Sequence, residues 1–293
     1  MTTGLRIVAL GGGHGLTASL RAARLLDAKV TALVNVSDDG GSSGRLREDF
    51  GIAPPGDLRR CISALVPEDN SLESLLEYRF HAGELSDHAL GNLFFVAAQE
   101  LFGSATAASI AMAEIFGARG VVLPVSEEAL TLNAQLVDGS TVCGQVDVHH
   151  SRNIASVWTT PEDPAVPECV LDAIALADMV LLGPGSLFTS VLAAVVPKSI
   201  ARALSEAKAT KVYVANLREQ QEESVGLTVA DCVDALERHG IHPEVVIADD
   251  SGIALGRCDP TKRWIVGPLS VKGLGIHDAS LLADAISQAR PIQ

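Results

Sequence analysis

Three stretches of this sequence set glycine beside side chains that handle anions, cations or protons. The first is Gly11-Gly12-Gly13-His14-Gly15. Glycine lets backbone N–H groups approach a ligand closely, and a helix opening there would turn its positive end toward an anion. Gly13-x-Gly15-x-x-Ala18 also fits a relaxed dinucleotide fingerprint, a pattern too short to be specific alone. The second is Ser37-Asp38-Asp39-Gly40-Gly41-Ser42-Ser43-Gly44-Arg45-Leu46-Arg47. Its adjacent carboxylates suit Mg²⁺ or sugar hydroxyls, and its arginines suit phosphate oxygens. The third is Gly183-Pro184-Gly185-Ser186, a second glycine turn, in which Ser186 could cap a helix or donate to a phosphate. The pattern of a nucleophile elbow is not met there.

Two further groups carry charge or protons. In Pro54-Pro55-Gly56-Asp57-Leu58-Arg59-Arg60, the prolines set a helix entry and Asp57 is placed to cap it. Arg59 and Arg60 then fall in a first turn, where cations oppose the helix dipole, which points to an anionic partner. His88 and Asn92 are four residues apart, on one face of an expected helix. His88 there could serve as a general acid or a hydrogen-bond donor. Asn216, Glu222, Glu223 and Gly226 follow a late strand and are candidates for the far wall of a crevice.

The elements around these groups alternate between strand and helix. Leu5–Leu10 reads as a buried strand, Leu16–Leu26 as a helix and Lys29–Val36 as a second strand. This is a βαβ opening, so the two strands should be parallel and their glycine ends should share one sheet edge. Residues 38–50 read as a polar loop, and a helix should run from Asp57 to Val66. Asn70–Phe80, His88–Phe102 and Thr106–Phe116 read as helices. Residues 119–158 read as a small antiparallel insertion, with short β runs at Val121–Val125, Leu130–Val137, Val142–Val148 and Asn153–Trp158 and a turn at Asp138-Gly139. The alternation then resumes with helix Pro167–Ala177, strand Asp178–Leu182, helix Ser186–Ala207, strand Lys211–Ala215, helix Thr228–His239 and strand Glu244–Ala248. A last helix is expected over Asp278–Arg290. The whole predicts a single α/β domain over 1–293: a Rossmann-like, doubly wound, mostly parallel sheet with a helical middle region.

Composition narrows the function classes. The net charge is −14 and aromatics are 4%, so a nucleic-acid partner is not expected. Five cysteines without a C-x-x-C pair predict neither a disulfide framework nor a structural zinc site. Met179–Val196 is the longest apolar run, but Gly183-Pro184-Gly185 divides it, so no membrane insertion is expected. The opening residues lack a basic region and a cleavage site, and the reading is a cytoplasmic protein. The apolar content also predicts a homo-oligomer, most simply a dimer.

The motifs GGGHGL at Gly11, SDDGGSSGRLR at Ser37, PPGDLR at Pro54, HALGNL at His88 and GPGSLFTS at Gly183, in this order, resemble the YvcK-type gluconeogenesis factors of the CofD-like (2-phospho-L-lactate transferase) superfamily. The resemblance covers residues 5–250. It implies a Rossmann-like fold, a UDP-sugar ligand of the UDP-N-acetylglucosamine type, and a role in cell shape and in carbon flow to the cell wall. It also implies that Gly11, Gly12, Gly13, His14, Gly15, Gly183, Gly185 and Ser186 hold a diphosphate. Arg45 and Arg59 would neutralise that charge, and Asp38, Asp39 and Asn92 would take hydroxyls or Mg²⁺. Ser37, Ser42, Ser43, Asp57, His88, Asn216 and Glu223 complete the implied set. The transferase branch would use Asp38 and Asp39 as metal ligands, with His88 moving a proton. Where the family commonly has P-G-E-T-x-G, this chain reads Gln221-Glu222-Glu223-Ser224-Val225-Gly226, and Cys232 stands where a histidine is common. Three functions stay open on the sequence: a nucleotide-sugar-binding regulator, a Mg²⁺-dependent transferase, and an NAD-dependent oxidoreductase. The last is disfavoured because Asn35 stands where such enzymes carry a ribose-binding acid.

Overall fold

The computed structural model describes residues 4–67, 70, 72–220, 222–271 and 275–290. Seven strands, β1 (Arg6–Gly11), β2 (Lys29–Val34), β3 (Val121–Pro124), β7 (Met179–Leu182), β8 (Thr210–Val214), β9 (Val245–Asp249) and β10 (Arg263–Gly267), form one parallel sheet. Their order is β10-β9-β8-β7-β1-β2-β3. Strands of such a sheet are covered on both faces, so they read as continuous apolar runs rather than alternating ones. Ile7 to Leu10 and Met179 to Leu182 are accordingly all buried. Burying one leucine contributes about 2 kcal/mol, so this layer fixes the strand ends on which the turns are carried.

From β1 the chain steps outward to β2 and β3, then returns to place β7 on the other side of β1. The strand order therefore reverses between β1 and β7. Ligands of open α/β sheets sit outside the carboxyl ends of the strands at such a point.

The flanking helices are α1 (Gly13–Leu25), α2 (Gly41–Phe50), α3 (Pro55–Leu65), α4 (Glu73–Glu77), α5 (Leu90–Phe102), α6 (Ala105–Ile115), α7 (Gln145–His149), α8 (Glu168–Leu176), α9 (Ala193–Val195), α10 (Lys198–Glu206), α11 (Val229–Arg238) and α12 (Ala279–Gln288). α1 packs against α3 and α12, while α8 and α9 pack against β1. A small antiparallel sheet is built from β4 (Thr131–Leu136), β5 (Thr141–Cys143) and β6 (Ile154–Thr160), in the order β5-β4-β6. The α/β class, the mostly parallel sheet, the helical middle region and the small antiparallel sheet are as expected.

Several elements differ from the sequence reading, each for a local reason. The polar loop expected over 38–50 is largely helix α2, whose serines and glycine (Ser42, Ser43, Gly44) are buried against the protein. Asn70–Phe80 yields only the short α4, because Tyr78 and Phe80 bond across to Leu90 and His88 instead. The run expected at Val121–Val125 becomes β3 of the main sheet rather than part of the insertion. Val142–Val148 is not one strand: β5 stops at Cys143, and the chain turns into α7 after Gly144, whose φ is 103°. A β10 strand stands in the tail, where no strand was expected.

The long helix expected over Ser186–Ala207 is broken. It opens as a π-helical turn, Leu187–Leu192, in which Val191 N–H donates to Ser186 C=O at 3.0 Å. Pro197 then interrupts it, and the two halves are bent by 75°. Among the described residues no single helix is long and apolar enough to cross a membrane.

Candidate functional site

The two glycine turns follow neighbouring strands, so they meet. A side chain at Gly15 would run into the backbone of Pro184 and Gly185, the latter at 2.6 Å from its first carbon. Only glycine permits this approach. Asn216 secures the second turn: Gly185 N–H donates to its Oδ1 at 2.9 Å, and its Nδ2 donates to Gly185 C=O at 2.7 Å. Ser186 Oγ donates to Gln220 Oε1 at 3.3 Å. The result is an α1 amino terminus presented at the strand-order reversal, with a cavity on each side of its first turn.

The first cavity, of about 330 Å³, is lined by Gly13, Ser42, Ser43, Asp38, Asp57 and Arg60, among others. Burial, and then the nearby Asp57 carboxylate, raise the Asp38 carboxyl above its ordinary range. Asp57 was expected to cap α3. Pro54 holds the cap position instead, and Asp57 sits in the first turn, where it accepts from Arg60 Nη1 at 2.8 Å. Asp39 does not face this cavity's ligand space with Asp38. Its carboxylate accepts the backbone N–H groups of Gln145 at 2.9 Å and Val146 at 3.0 Å, so it caps α7. The two carboxylates turned to the cavity are therefore Asp38 and Asp57.

The cations are also distributed differently from the motif reading. Arg45 is exposed and donates to Ser86 C=O at 3.1 Å. Arg59 is 1% exposed and is engaged with Asn92, the Leu76 carbonyl and the Glu77 carboxylate. The guanidinium groups lining the cavity belong to Arg60 and Arg79. No local signal ranks Arg60 above Arg59, because adjacent helical positions differ only in which way they face. Arg79 stands in a segment where the sequence predicted helix, which hid its role.

His88 precedes α5 rather than lying within it. It and Asn92 nevertheless converge on Ser42: Ser42 Oγ is 3.0 Å from His88 Nδ1, and Asn92 Nδ2 donates to Ser42 Oγ at 3.1 Å. Burial, and then Arg45, lower the His88 pKa, which favours the neutral ring.

The second cavity, of about 380 Å³, is lined by His14, Gly15, Arg21, Asn216, Arg218 and His277, among others. Burial lowers the pKa of His14, with Arg60 adding to the effect. His277 Nε2 donates to Ala215 C=O at 3.1 Å, and burial holds its pKa down. Arg218 and His277 were not candidates on the sequence. They come from a loop and a tail with no motif, and only the fold brings them beside the first glycine turn.

Asn35 and Ser37 are buried supports. Asn35 Nδ2 donates to Ser37 Oγ at 2.7 Å and to Thr189 C=O at 3.3 Å. Glu223 lines neither cavity. It is buried, accepts from Thr189 Oγ1 at 2.8 Å, and lies 3.5 Å from His149 Nδ1. Cys232 is buried, its thiol bonded to Tyr213 and pushed up to about 11 by burial. A larger and more apolar cavity of about 500 Å³ opens at the amino ends of β1, β2 and β3, beside Val8, Thr31 and Val121. It is at the wrong edge of the sheet for the chemistry above, and the site is placed at the carboxyl edge on the strand-order reversal.

Residues 7–258 match the family described as 2-phospho-L-lactate transferase CofD. The gluconeogenesis factor of Halalkalibacterium halodurans is 34% identical over 310 residues, covering 97% of this chain and 96% of that protein. The gluconeogenesis factor of Bacillus subtilis is 39% identical over 238 residues, covering 80% of this chain and 74% of that protein. The chain spans about half the length of relatives from Nostoc (52%) and Clostridium acetobutylicum (54%). A crystal structure of a UPF0052 family member from Bacillus halodurans superposes with a TM-score of 0.91 at 31% identity, over 98% of this chain and 100% of that one.

Proposed function

The chain belongs to the CofD family, the family of 2-phospho-L-lactate transferase CofD, in a group that includes gluconeogenesis factors, and from that premise we propose that it binds a nucleotide sugar of the UDP-N-acetylglucosamine type. The observation that carries this reading is the pair of cavities flanking the first turn of α1. Gly13 lines one, and His14 and Gly15 line the other. A diphosphate over the helix amino terminus would neutralise its charge on backbone N–H groups, Arg60 and Arg79. The sugar and the nucleoside would then extend to either side. Asp38 and Asp57 suit hydroxyl donors on one side, and Arg218 and His277 suit the polar edge of a base on the other. As the family resemblance implies, such a protein would report nucleotide-sugar supply to cell-shape control and to carbon flow toward the wall, in the cytoplasm and as a dimer.

The carboxylates favour a second reading, a Mg²⁺-dependent transferase. Mg²⁺ is commonly held by one or two carboxylates together with substrate phosphates. Asp38 and Asp57 fit that donor set, and no cluster of three or more His, Cys, Asp or Glu side chains suited to a metal occurs among the described residues. The bound ion would screen the phosphate charge. Asp38 and Asp57 would hold it, and Arg60 would orient the leaving phosphate.

Calorimetric titration with UDP-N-acetylglucosamine, GTP and NAD, each with and without Mg²⁺, separates these readings. Metal-independent binding of the UDP-sugar alone supports the regulator. GTP binding that requires Mg²⁺ supports the transferase, and binding of neither removes both.

A further inference from the structure

Three sequence motifs that lie far apart in the chain are wired into one hydrogen-bonded chain behind the first cavity. It runs from Glu77 through Arg59, Asn92 and Ser42 to His88. Arg59 is held at two of its nitrogens: Nε donates to Asn92 Oδ1 at 3.0 Å, and Nη1 donates to Leu76 C=O at 3.2 Å and meets the Glu77 carboxylate. Gly91 has no side chain because Arg59 passes over it. A first carbon there would lie 2.7 Å from both Arg59 Cδ and Leu76 C=O.

The polarity of this chain follows from what each group can do. A guanidinium only donates. Asn92 must therefore turn Oδ1 toward Arg59, which leaves Nδ2 facing Ser42. One lone pair of Ser42 Oγ is taken by that donor. On its other side is His88 Nδ1, in a ring that is 8% exposed. Arg45 and Arg79 act against a charged imidazole there, while Asp49 and Asp87 favour it, and with burial the balance falls toward the neutral form. A neutral imidazole protonated at Nε2 offers Nδ1 as an acceptor, and the nearest hydroxyl is that of Ser42.

We propose that Ser42 is a nucleophile, with His88 as its base, and that it captures a phosphorus group from a phosphoanhydride bound in this cavity. The inference rests on the reading of the cavity as a diphosphate site. Ser42 lines the cavity in the first turn of α2, where the helix dipole favours negative charge on Oγ. A serine within hydrogen-bond reach of a base, with the oxygen otherwise free to face substrate, is the arrangement of covalent catalysis. In the step, Ser42 Oγ attacks one phosphorus of the diphosphate and an Oγ–P bond forms. The P–O bond to the bridging oxygen breaks, and the leaving phosphate departs with that electron pair. The Ser42 proton passes to His88 Nδ1. Arg60 and Arg79 face the charge that develops on the leaving oxygen. Asn92 is a positioning residue, and Arg59 positions it in turn. Adjacent Ser43 has a different task, because its hydroxyl bonds to Asp38.

The test uses the full chain and UDP-N-acetylglucosamine labelled separately in the uridine and in the sugar, with Mg²⁺ present. Binding is measured by calorimetry on the same preparation, so a failure to bind removes the site reading and is distinguishable from a failure of this step. Samples are quenched in acid over time and the peptides are mapped by mass spectrometry. Label on the peptide carrying Ser42, absent in Ser42→Ala and slowed at least tenfold in His88→Gln, is the expected result. Ligand that binds and is recovered intact, with no label on Ser42, overturns the proposal. Product release without accumulated label is decided by Ser42→Ala: release that continues overturns the proposal, and release that stops supports it. If Ser42→Ala does not fold, peptide mapping of the unaltered chain and the rate of His88→Gln still decide.

Discussion

The carboxylate of Asp39 accepts the backbone N–H of Gln145 at 2.9 Å, across 106 residues of sequence. A second bond from Val146 at 3.0 Å completes the cap on α7. Its neighbour Asp38 faces the cavity instead. Two adjacent acids that read as one metal-binding pair thus divide into a structural group and a site group. Asp39→Ala should destabilise the protein by about 0.5–2 kcal/mol, the usual cost of removing a helix cap. Denaturant unfolding at neutral pH measures it.

Asp38→Asn should behave in the opposite sense. Burial and the Asp57 carboxylate raise the Asp38 carboxyl in the folded state. A group whose folded pKa is raised contributes stability below its unfolded pKa and loses it as pH rises through the folded one. The unaltered chain should therefore lose stability over that window above the ordinary Asp range, and Asp38→Asn should not. Parallel thermal unfolding curves across acidic and neutral pH test this. A variant that loses stability as steeply as the unaltered chain would contradict the assignment.

Arg59 and Arg60 should separate folding from binding. Arg59 is buried and satisfies Asn92 and Leu76. Arg59→Ala should cost about 3 kcal/mol, because it leaves those partners unpaired. Arg60 is only partly buried and lines the cavity. Arg60→Ala breaks its ion pair with Asp57 and should cost about 1 kcal/mol, well below the cost of Arg59→Ala. It should weaken UDP-sugar affinity at least tenfold in calorimetry.

Gly15→Ala should fail for a steric reason. The added carbon meets backbone atoms of Pro184 and Gly185, which cannot rotate away. The two turns must separate, at a cost of about 2 kcal/mol or more, in the range of overpacking. Loss of ligand binding should exceed the loss of stability, which paired calorimetry and unfolding experiments would show.

His149 gives a second pH handle. Glu223 raises the pKa of the imidazole above its ordinary 6.5. Stability from this pair is present below the unfolded value and is lost as pH rises through the folded one. Glu223→Gln should abolish that loss between weakly acidic and weakly alkaline pH. The signal to follow is the His149 ring resonance in NMR, whose titration should move to lower pH in the variant.

The α/β class was legible because parallel strands buried on both faces read as uninterrupted apolar runs, as in Ile7–Leu10 and Met179–Leu182. Both glycine turns were legible because a strand precedes each and a helix follows. Asp39, Val142–Val148 and Ser186–Ala207 were misread together with their surroundings. Their outcomes depend on distant backbone donors at Gln145 and Val146, on a cap that arrives from elsewhere in the chain, and on how a break at Pro197 is packed.

What the sequence by itself determined is the pair of glycine turns and the sheet edge on which they lie. Local patterns of burial and turn chemistry are enough for that, since they follow from each residue's neighbours in the chain. Which arginine reaches the cavity, which of two aspartates caps a helix, and which serine meets His88 were decided only by tertiary structure. Adjacent residues on a turn or helix have the same chemistry and the same local environment in sequence. They are told apart by direction, and direction is set by packing against α3, α5 and α7, elements from distant parts of the chain.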